Sequence, residues 1–155
     1  MRLISIFFIL TSASAAAQLP VIVHEKFEVN NYGWYEIDKP PLRVAFSGGH
    51  YLIEAPDGGW MSYIAPYVDS EKDFSIEATF TQLNGDTDNS LGLIWGHDGQ
   101  NQMNSFTVTA GGYYRIGCAD RTLQISDKWR KSDAIRPLGS ANKLRVPQQG
   151  GSLRF

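Results

Sequence analysis

The sequence has little of what a charge-driven or disulfide-stabilised protein needs. Only 19% of its 155 residues are charged, and 14 Lys and Arg balance 16 Asp and Glu to a net charge of −2. That balance argues against a charge-driven binder of nucleic acid or of anionic membranes. The single cysteine, Cys118, excludes an intramolecular disulfide and is too few for a structural zinc site. With 43% hydrophobic residues the chain is also too apolar for a disordered protein.

The first 17 residues have the layout of a secretory signal peptide. A positive start at Arg2 leads into an apolar stretch over residues 3–10, and small residues follow up to Ala17. The apolar stretch is too short to span a bilayer, and no later run is long enough either. We therefore expect cleavage after Ala17, a single mature domain over residues 18–155, no membrane span, and a secreted, periplasmic or cell-surface location.

Period-two alternation of apolar and polar residues recurs along the mature chain, whereas no clear 3.6-residue period extends over ten residues. The alternation predicts strands at residues 21–27, 42–46, 50–55, 60–64, 74–80, 103–110, 113–118, 121–125, 143–146 and 152–155. A Pro-Asp-Gly-Gly turn at residues 56–59 predicts a hairpin between the third and fourth of these. Residues 91–97 are apolar on both faces, which predicts a central strand of a sheet there. Residues 127–141 are irregular, with room for a short helical turn around Trp129. The pattern predicts an all-β fold, an antiparallel two-sheet sandwich or a barrel.

The last predicted strand stops in mid-pattern at Phe155. A strand interrupted in this way would leave a neighbour unpaired and an edge exposed. We therefore expect the sandwich to continue in strands beyond this sequence. If the domain is a structural scaffold, further domains would follow those strands.

Several motifs in order resemble those of the concanavalin A-like lectin/glucanase superfamily. They are F-E-V-N-N-Y-G-W at 27–34, Y-L-I-E at 51–54, D-F-S-I-E-A at 73–78, L-G-L-I-W-G at 91–96, S-F-T-V at 105–108, G-Y-Y-R-I-G at 112–117 and N-K-L-R-V at 142–146. The likeness is greatest to exported bacterial jelly-roll domains, including relatives of the 3-keto-disaccharide hydrolase (DUF1080-like) group. The resemblance implies a jelly-roll β-sandwich, and it specifies fold better than activity, since its motifs are mostly turn glycines and core aromatics.

The acidic residues do not complete a catalytic motif. Glu36 and Asp38 resemble the start of the E-x-D-x-x-E motif of laminarinase-like members, but Lys39-Pro40-Pro41 follows where the third carboxylate would stand. Prolines end strands, so we interpret both acids as solvated loop residues. A retaining glycosidase needs two carboxyl groups about 5–5.5 Å apart. Glu77 is the only acid on the face that we expect to bind a ligand.

Two polar loops are candidate metal or catalytic sites. Residues 84–89 (N-G-D-T-D-N) alternate oxygen ligands, but the EF-hand pattern fails at Asn89 and Trp95, which stand where it requires Gly and Glu. A polar turn is the favoured interpretation, and a calcium site completed from elsewhere in the chain stays open. His97 and Asp98 lack a third metal ligand and a nucleophilic serine, so we interpret them as a solvated loop.

The strands themselves offer a better candidate for a binding site. Sugars are recognised by aromatic rings and planar polar side chains in concave sites. The outward-facing positions of the predicted strands supply such side chains. They form one groove if Trp95 and His97, on the strand at 91–97, project to the same side. The candidate ligand-binding residues are Glu77, Thr79, Trp95, His97, Thr107, Tyr113 and Arg115. Trp34, Trp60 and Trp129 are equally explained as core residues. Cys118 alternates with Tyr114 and Ile116, which predicts an inward-facing position.

The leading hypothesis from the sequence is an exported, non-catalytic module that binds a carbohydrate or another extracellular ligand. No cofactor and no nucleic-acid partner is indicated. One alternative is a glycoside-processing enzyme of the DUF1080 or glucanase type. The other is a structural scaffold domain of a larger exported protein.

Overall fold

The structure is a computed structural model that describes residues 20–56, 59–69, 71–96, 102–119, 127–150 and 152–153. These residues form strands and irregular segments, with no helix among them. The strands are β1 Ile37–Lys39, β2 Leu42–Ser47, β3 His50–Glu54, β4 Phe74–Thr81, β5 Ser90–Trp95, β6 Met103–Thr109, β7 Tyr113–Ala119, β8 Arg130–Lys131, β9 Ala141–Gln149 and β10 Ser152–Leu153. In the part of the chain so described, no helix could cross a membrane. The predicted signal peptide lies outside the described residues.

The strands form three antiparallel sheets. The first has the order β1-β2-β3, the second β10-β9-β4 and the third β5-β6-β7-β8. The prediction of an all-β antiparallel fold is confirmed, and the arrangement is consistent with a β-sandwich.

β4 shows how the sequence pattern positions a strand. Phe74, Ile76, Ala78 and Phe80 are half-buried, while the residues between them are exposed. Because successive side chains of a strand point to opposite faces, one face of β4 is apolar and the other is polar. The predicted strands at 42–46, 74–80, 113–118 and 143–146 lie within observed strands, and those at 50–55 and 103–110 run one residue past β3 and β6.

A cluster of buried aliphatic side chains joins the second and third sheets. It contains Leu93 of β5, Val108 of β6, and Leu144 and Val146 of β9. Half-buried apolar residues pack around it from β4, β5, β6, β7 and the loop after β8: Ile76, Ala78, Phe80, Leu91, Trp95, Phe106, Tyr114 and Ile135. The pairing of β5 with β6 also needs a glycine, because a Cβ at Gly92 would overlap the Phe106 carbonyl oxygen and the Thr107 Cα.

Two predicted strands near the N-terminus are wrong. Residues 21–27 form no strand, because the Glu25 carboxylate accepts the Lys26 and Phe27 N–H groups that a strand would give to a neighbour. Residues 60–64 do not pair with β3, whose partner is β2. Instead Ser62 bonds through its hydroxyl to the Tyr51 hydroxyl at 2.7 Å.

Other local predictions need correction or fall outside the described residues. The expected helical turn around Trp129 is wrong, since Arg130 and Lys131 form β8 and pair with β7. Asp38, predicted in a loop, lies in β1, which ends at Lys39 directly before the prolines. The predicted strand at 121–125, His97 and the last two residues of the predicted strand at 152–155 lie outside the described residues.

Candidate ligand-binding surface

Three of the predicted site residues lie together on the third sheet. Thr107 of β6 is directly opposite Arg115 of β7. Tyr113 is two residues before Arg115 on the same strand, so all three side chains share one face. The turn that joins β6 to β7 holds Tyr113 in place, since the Tyr113 N–H donates to the Thr109 hydroxyl at 3.3 Å.

β8 and the residue directly before it add two side chains to this face that the sequence did not identify as a site. Lys131 is opposite Tyr113, and the Arg115 guanidinium carbon lies 4.5 Å from the centre of the Trp129 ring. That distance is typical of a cation–π contact. We call the set Thr107, Tyr113, Arg115, Trp129 and Lys131 the Arg115 surface. Nothing in the spacing of Trp129 distinguishes it from a core tryptophan, because a long segment separates it from β7.

The side chains of the Arg115 surface differ in how they meet solvent. Tyr113 is 41% exposed and Trp129 is 39% exposed, so both residues are accessible to solvent in part. The Thr107 hydroxyl is turned back to the Arg115 carbonyl, at 3.5 Å. The Arg115 Nε is buried and has no hydrogen-bond partner in the described structure. An arginine carries five N–H donors in a planar fork, so the surface offers two half-exposed rings beside a planar donor.

The other predicted site residues lie elsewhere. Trp95 is opposite Asn104 in the register of β5 and β6, which places it on the face opposite Thr107, where it packs against the buried cluster. Glu77 and Thr79 lie on the exposed face of β4, and the Glu77 carboxylate accepts a bond from Lys143 Nζ at 2.8 Å. His97 is outside the described residues. The structure thus brings Thr107, Tyr113 and Arg115 together and separates them from Glu77, Thr79 and Trp95.

The carboxylate pair near the N-terminus has contacts within the fold. One Glu36 oxygen accepts from Asn30 Nδ2 at 3.0 Å, and the other accepts from the Phe46 N–H at 3.4 Å. Asp38 Oδ2 is 4.0 Å from Arg43 Nε across the β1–β2 pair. Glu36 thereby joins the N-terminal loop to the first sheet.

The candidate calcium loop is a hydrogen-bonded turn. The Gln82 amide donates to the carbonyl oxygens of Asn84 at 3.2 Å and Asp86 at 2.7 Å. One Asp86 carboxylate oxygen accepts the Asp88 N–H at 3.1 Å. Among the described residues, no group of three or more His, Cys, Asp or Glu is placed to hold a metal ion.

Cys118 is exposed, so the expected burial is wrong. It shares a face of β7 with Tyr114 and Ile116, as the alternation predicts. The buried cluster is contacted by Tyr114, near the start of β7, and not by the end of the strand where Cys118 lies. A correct prediction of the face therefore did not give the correct burial.

The chain has no match among protein-family models, curated proteins or solved structures. Its geometry is therefore the basis for the functional proposal that follows.

Proposed function

We propose that this protein is an exported, non-catalytic module that binds a carbohydrate at the Arg115 surface. We also propose that its three sheets belong to a jelly roll of the concanavalin A-like type. The signal-peptide pattern at residues 1–17 supports export. The order of the motifs in the sequence, together with the all-β antiparallel fold, supports the jelly roll.

One observation carries the binding proposal: the Arg115 guanidinium is held over Trp129 and beside Tyr113 on one sheet face. Apolar C–H faces of a sugar ring pack on aromatic rings, and hydroxyl groups are fixed by planar polar side chains. Tyr113 and Trp129 supply the rings, and Arg115 supplies the donors. The contact with Trp129 restrains the guanidinium before a ligand arrives, which lowers the entropic cost of binding.

The chemistry of the surface favours a neutral or acidic glycan chain. Arg115 and Lys131 are donors with no acceptor capacity, so they pair with sugar hydroxyl oxygens or carboxylates. The surface is a sheet face with half-exposed rings, and such small contacts give weak binding at each site. We expect retention on polymeric glycans to exceed affinity for monosaccharides, since a polymer presents many sites.

The experiment is a pull-down of the mature protein on insoluble cellulose, xylan, chitin and β-1,3-glucan, with a glycan array for soluble chains. We expect retention on at least one of these glycans. Tyr113→Ala and Trp129→Ala should each weaken it by about tenfold, since each removes one stacking ring.

Tyr67→Ala is the matched control, because Tyr67 is 87% exposed and lies in the segment 59–69, outside the Arg115 surface. It should bind like the parent protein. Retention of no glycan, or equal retention by the Tyr113, Trp129 and Tyr67 variants, would contradict the proposal. A circular-dichroism spectrum of each variant confirms that the strands remain.

A further inference from the structure

A cleft of about 930 Å³ opens between β9 and the third sheet, on the face opposite the Arg115 surface. Phe106 and Val108 of β6 are paired with Ile116 and Tyr114 of β7, so these four side chains share that face and form one wall. Leu144 contributes from β9. The volume falls in the range of about 300–1,000 Å³ that is typical of small-molecule sites.

The loop from β8 towards β9 forms the opposite rim. Three cations line the cleft: Arg130 of β8, Arg136 of this loop and Lys143 of β9, whose ammonium is paired with Glu77. None of the described residues that line the cleft is an aspartate or a glutamate. Arg130 is opposite Tyr114, which places it on the cleft face of the sheet. Its guanidinium also meets Asp127 at 3.1 Å, in an exposed ion pair of the kind that contributes little.

Arg136 is the better-positioned cation. The Asn142 side chain accepts the Arg136 N–H at 2.8 Å and donates to the Arg136 carbonyl at 3.0 Å. These two bonds fix the backbone of Arg136 beside the opening, while its side chain remains exposed. Ile135 packs against the buried cluster and anchors the same loop.

We infer that this cleft binds an amphipathic carboxylate, in chemical class a medium-chain fatty acid, with the alkyl chain on the apolar wall and the carboxylate at Arg136. An alkyl chain removes apolar wall from water, which is the favourable contribution for this lining. A guanidinium binds a carboxylate by two parallel charge-assisted bonds. The site lies on the other face of the sheet from the Arg115 surface, so it is independent of the proposed glycan binding.

Titration calorimetry with decanoate, below the concentration at which it forms micelles, tests the inference. Decyltrimethylammonium is the matched probe, since it has an alkyl chain of the same length and the opposite charge. We expect decanoate to bind at least tenfold more tightly. Arg136→Gln should weaken decanoate binding by about tenfold, because it removes a charge-assisted bond. It should not weaken decyltrimethylammonium binding, because it removes a like charge beside that head group.

Two further variants separate the cleft from the rest of the molecule. Ala134→Trp places a large side chain at the lining and should abolish decanoate binding. Arg145→Gln is the matched charge control, because Arg145 is exposed and donates to Ser75 on the other face of the second sheet. It should bind decanoate normally.

Equal binding of the two probes, or normal decanoate binding by Arg136→Gln, would overturn the inference. Glycan pull-down of the Arg136 and Ala134 variants should match the parent protein, which keeps the two proposals separately testable.

Discussion

The first sheet is stabilised by a different kind of side chain from the second and third sheets. Around the first sheet, aromatic rings from residues 27–51 pack against one another, and nearby loops are fixed by side-chain hydrogen bonds. Between the second and third sheets, aliphatic residues from positions 76–146 pack in a buried cluster. The first region is built from neighbours in sequence, and the second from segments far apart.

Phe27 is the centre of the aromatic cluster. Its ring lies 5.6 Å from Phe46, 5.7 Å from Tyr51 and 5.8 Å from Trp34, stacked on Tyr51 and tilted or edge-on to the others. Its φ of 56° is unusual for a residue with a side chain. The Glu25 carboxylate accepts the Phe27 N–H at 2.8 Å and the Trp34 indole N–H at 3.1 Å, so one side chain positions two rings of the cluster.

The comparison shows that alternation of apolar and polar residues predicts strands where the backbone N–H and C=O groups bond to a neighbouring strand. It fails where side chains bond to those backbone groups instead. Predictions for the two regions should therefore differ in the kind of substitution that destabilises each one.

The largest expected effect is on the aliphatic cluster. Leu144→Ala removes a side chain that is 6% exposed and should lower the free energy of unfolding by about 2–5 kcal/mol. Urea unfolding followed by tryptophan fluorescence measures it. Leu83→Ala is the control, because Leu83 is 66% exposed and should change stability by less than about 0.5 kcal/mol. Equal effects of the two substitutions would show that the cluster is not the stabilising core.

The aromatic cluster should be the next most sensitive. Phe27→Ala removes three ring contacts and should cost about 2 kcal/mol, less than a fully buried phenylalanine because Phe27 is half-buried. Near-ultraviolet circular dichroism should lose aromatic signal in the same variant. An unchanged spectrum would mean that the rings are not ordered around Phe27.

The hydrogen bonds of the Asn30 side-chain amide should contribute less to stability than the aromatic cluster. Asn30 accepts the Trp34 N–H at 2.7 Å and donates to the Trp34 carbonyl at 2.8 Å. Asn30→Ala should cost about 1–2 kcal/mol in urea unfolding, since it leaves half-buried backbone groups unpaired. Its neighbour Asn31 bonds only through its backbone N–H in the described contacts, so Asn31→Ala should be near neutral. A larger loss from Asn31→Ala than from Asn30→Ala would contradict this assignment.

The smallest expected effect is the part of the loss of folding stability at alkaline pH that is due to Tyr51. Burial raises the pKa of Tyr51 above its ordinary value of 10.0, and the charge of Glu36 adds to the rise, while the bond to Ser62 opposes it. The phenol therefore ionises at a lower pH in the unfolded chain than in the folded protein. As a result, the contribution of Tyr51 to folding stability is fully present below pH 10.0 and is lost as the pH rises through the folded pKa. The fall in stability between pH 9 and 11 should therefore be shallower in Tyr51→Phe. Identical profiles would show that another group is responsible.

Most strands of the second and third sheets could be predicted from the sequence, because apolar and polar residues alternate along them. β4 and β7 follow from alternation alone, and their faces are assigned correctly. The N-terminal segment could not be predicted in this way, because its apolar residues serve a ring cluster and Glu25 takes the place of a strand partner. For the candidate site, Thr107, Tyr113 and Arg115 follow from the β6–β7 register. Trp129 does not, since only the fold brings it over Arg115.

The position of Trp95 shows the limit of the same reasoning. Its strand is apolar on both faces, so alternation could not decide which face Trp95 occupies. The register with Asn104 decides it, and that pairing depends on the whole β5–β6 hairpin.

The most direct test of the Arg115 surface is an NMR titration of the four tryptophan indole N–H signals with a hexasaccharide of the glycan that retains the protein. Trp129→Ala and Trp34→Ala assign two of the signals. We predict that the Trp129 signal shifts on binding, while that of Trp34, whose N–H is donated to Glu25 in the aromatic cluster, does not. A titration in which the Trp34 or Trp60 signal shifts and the Trp129 signal does not would contradict the proposed site.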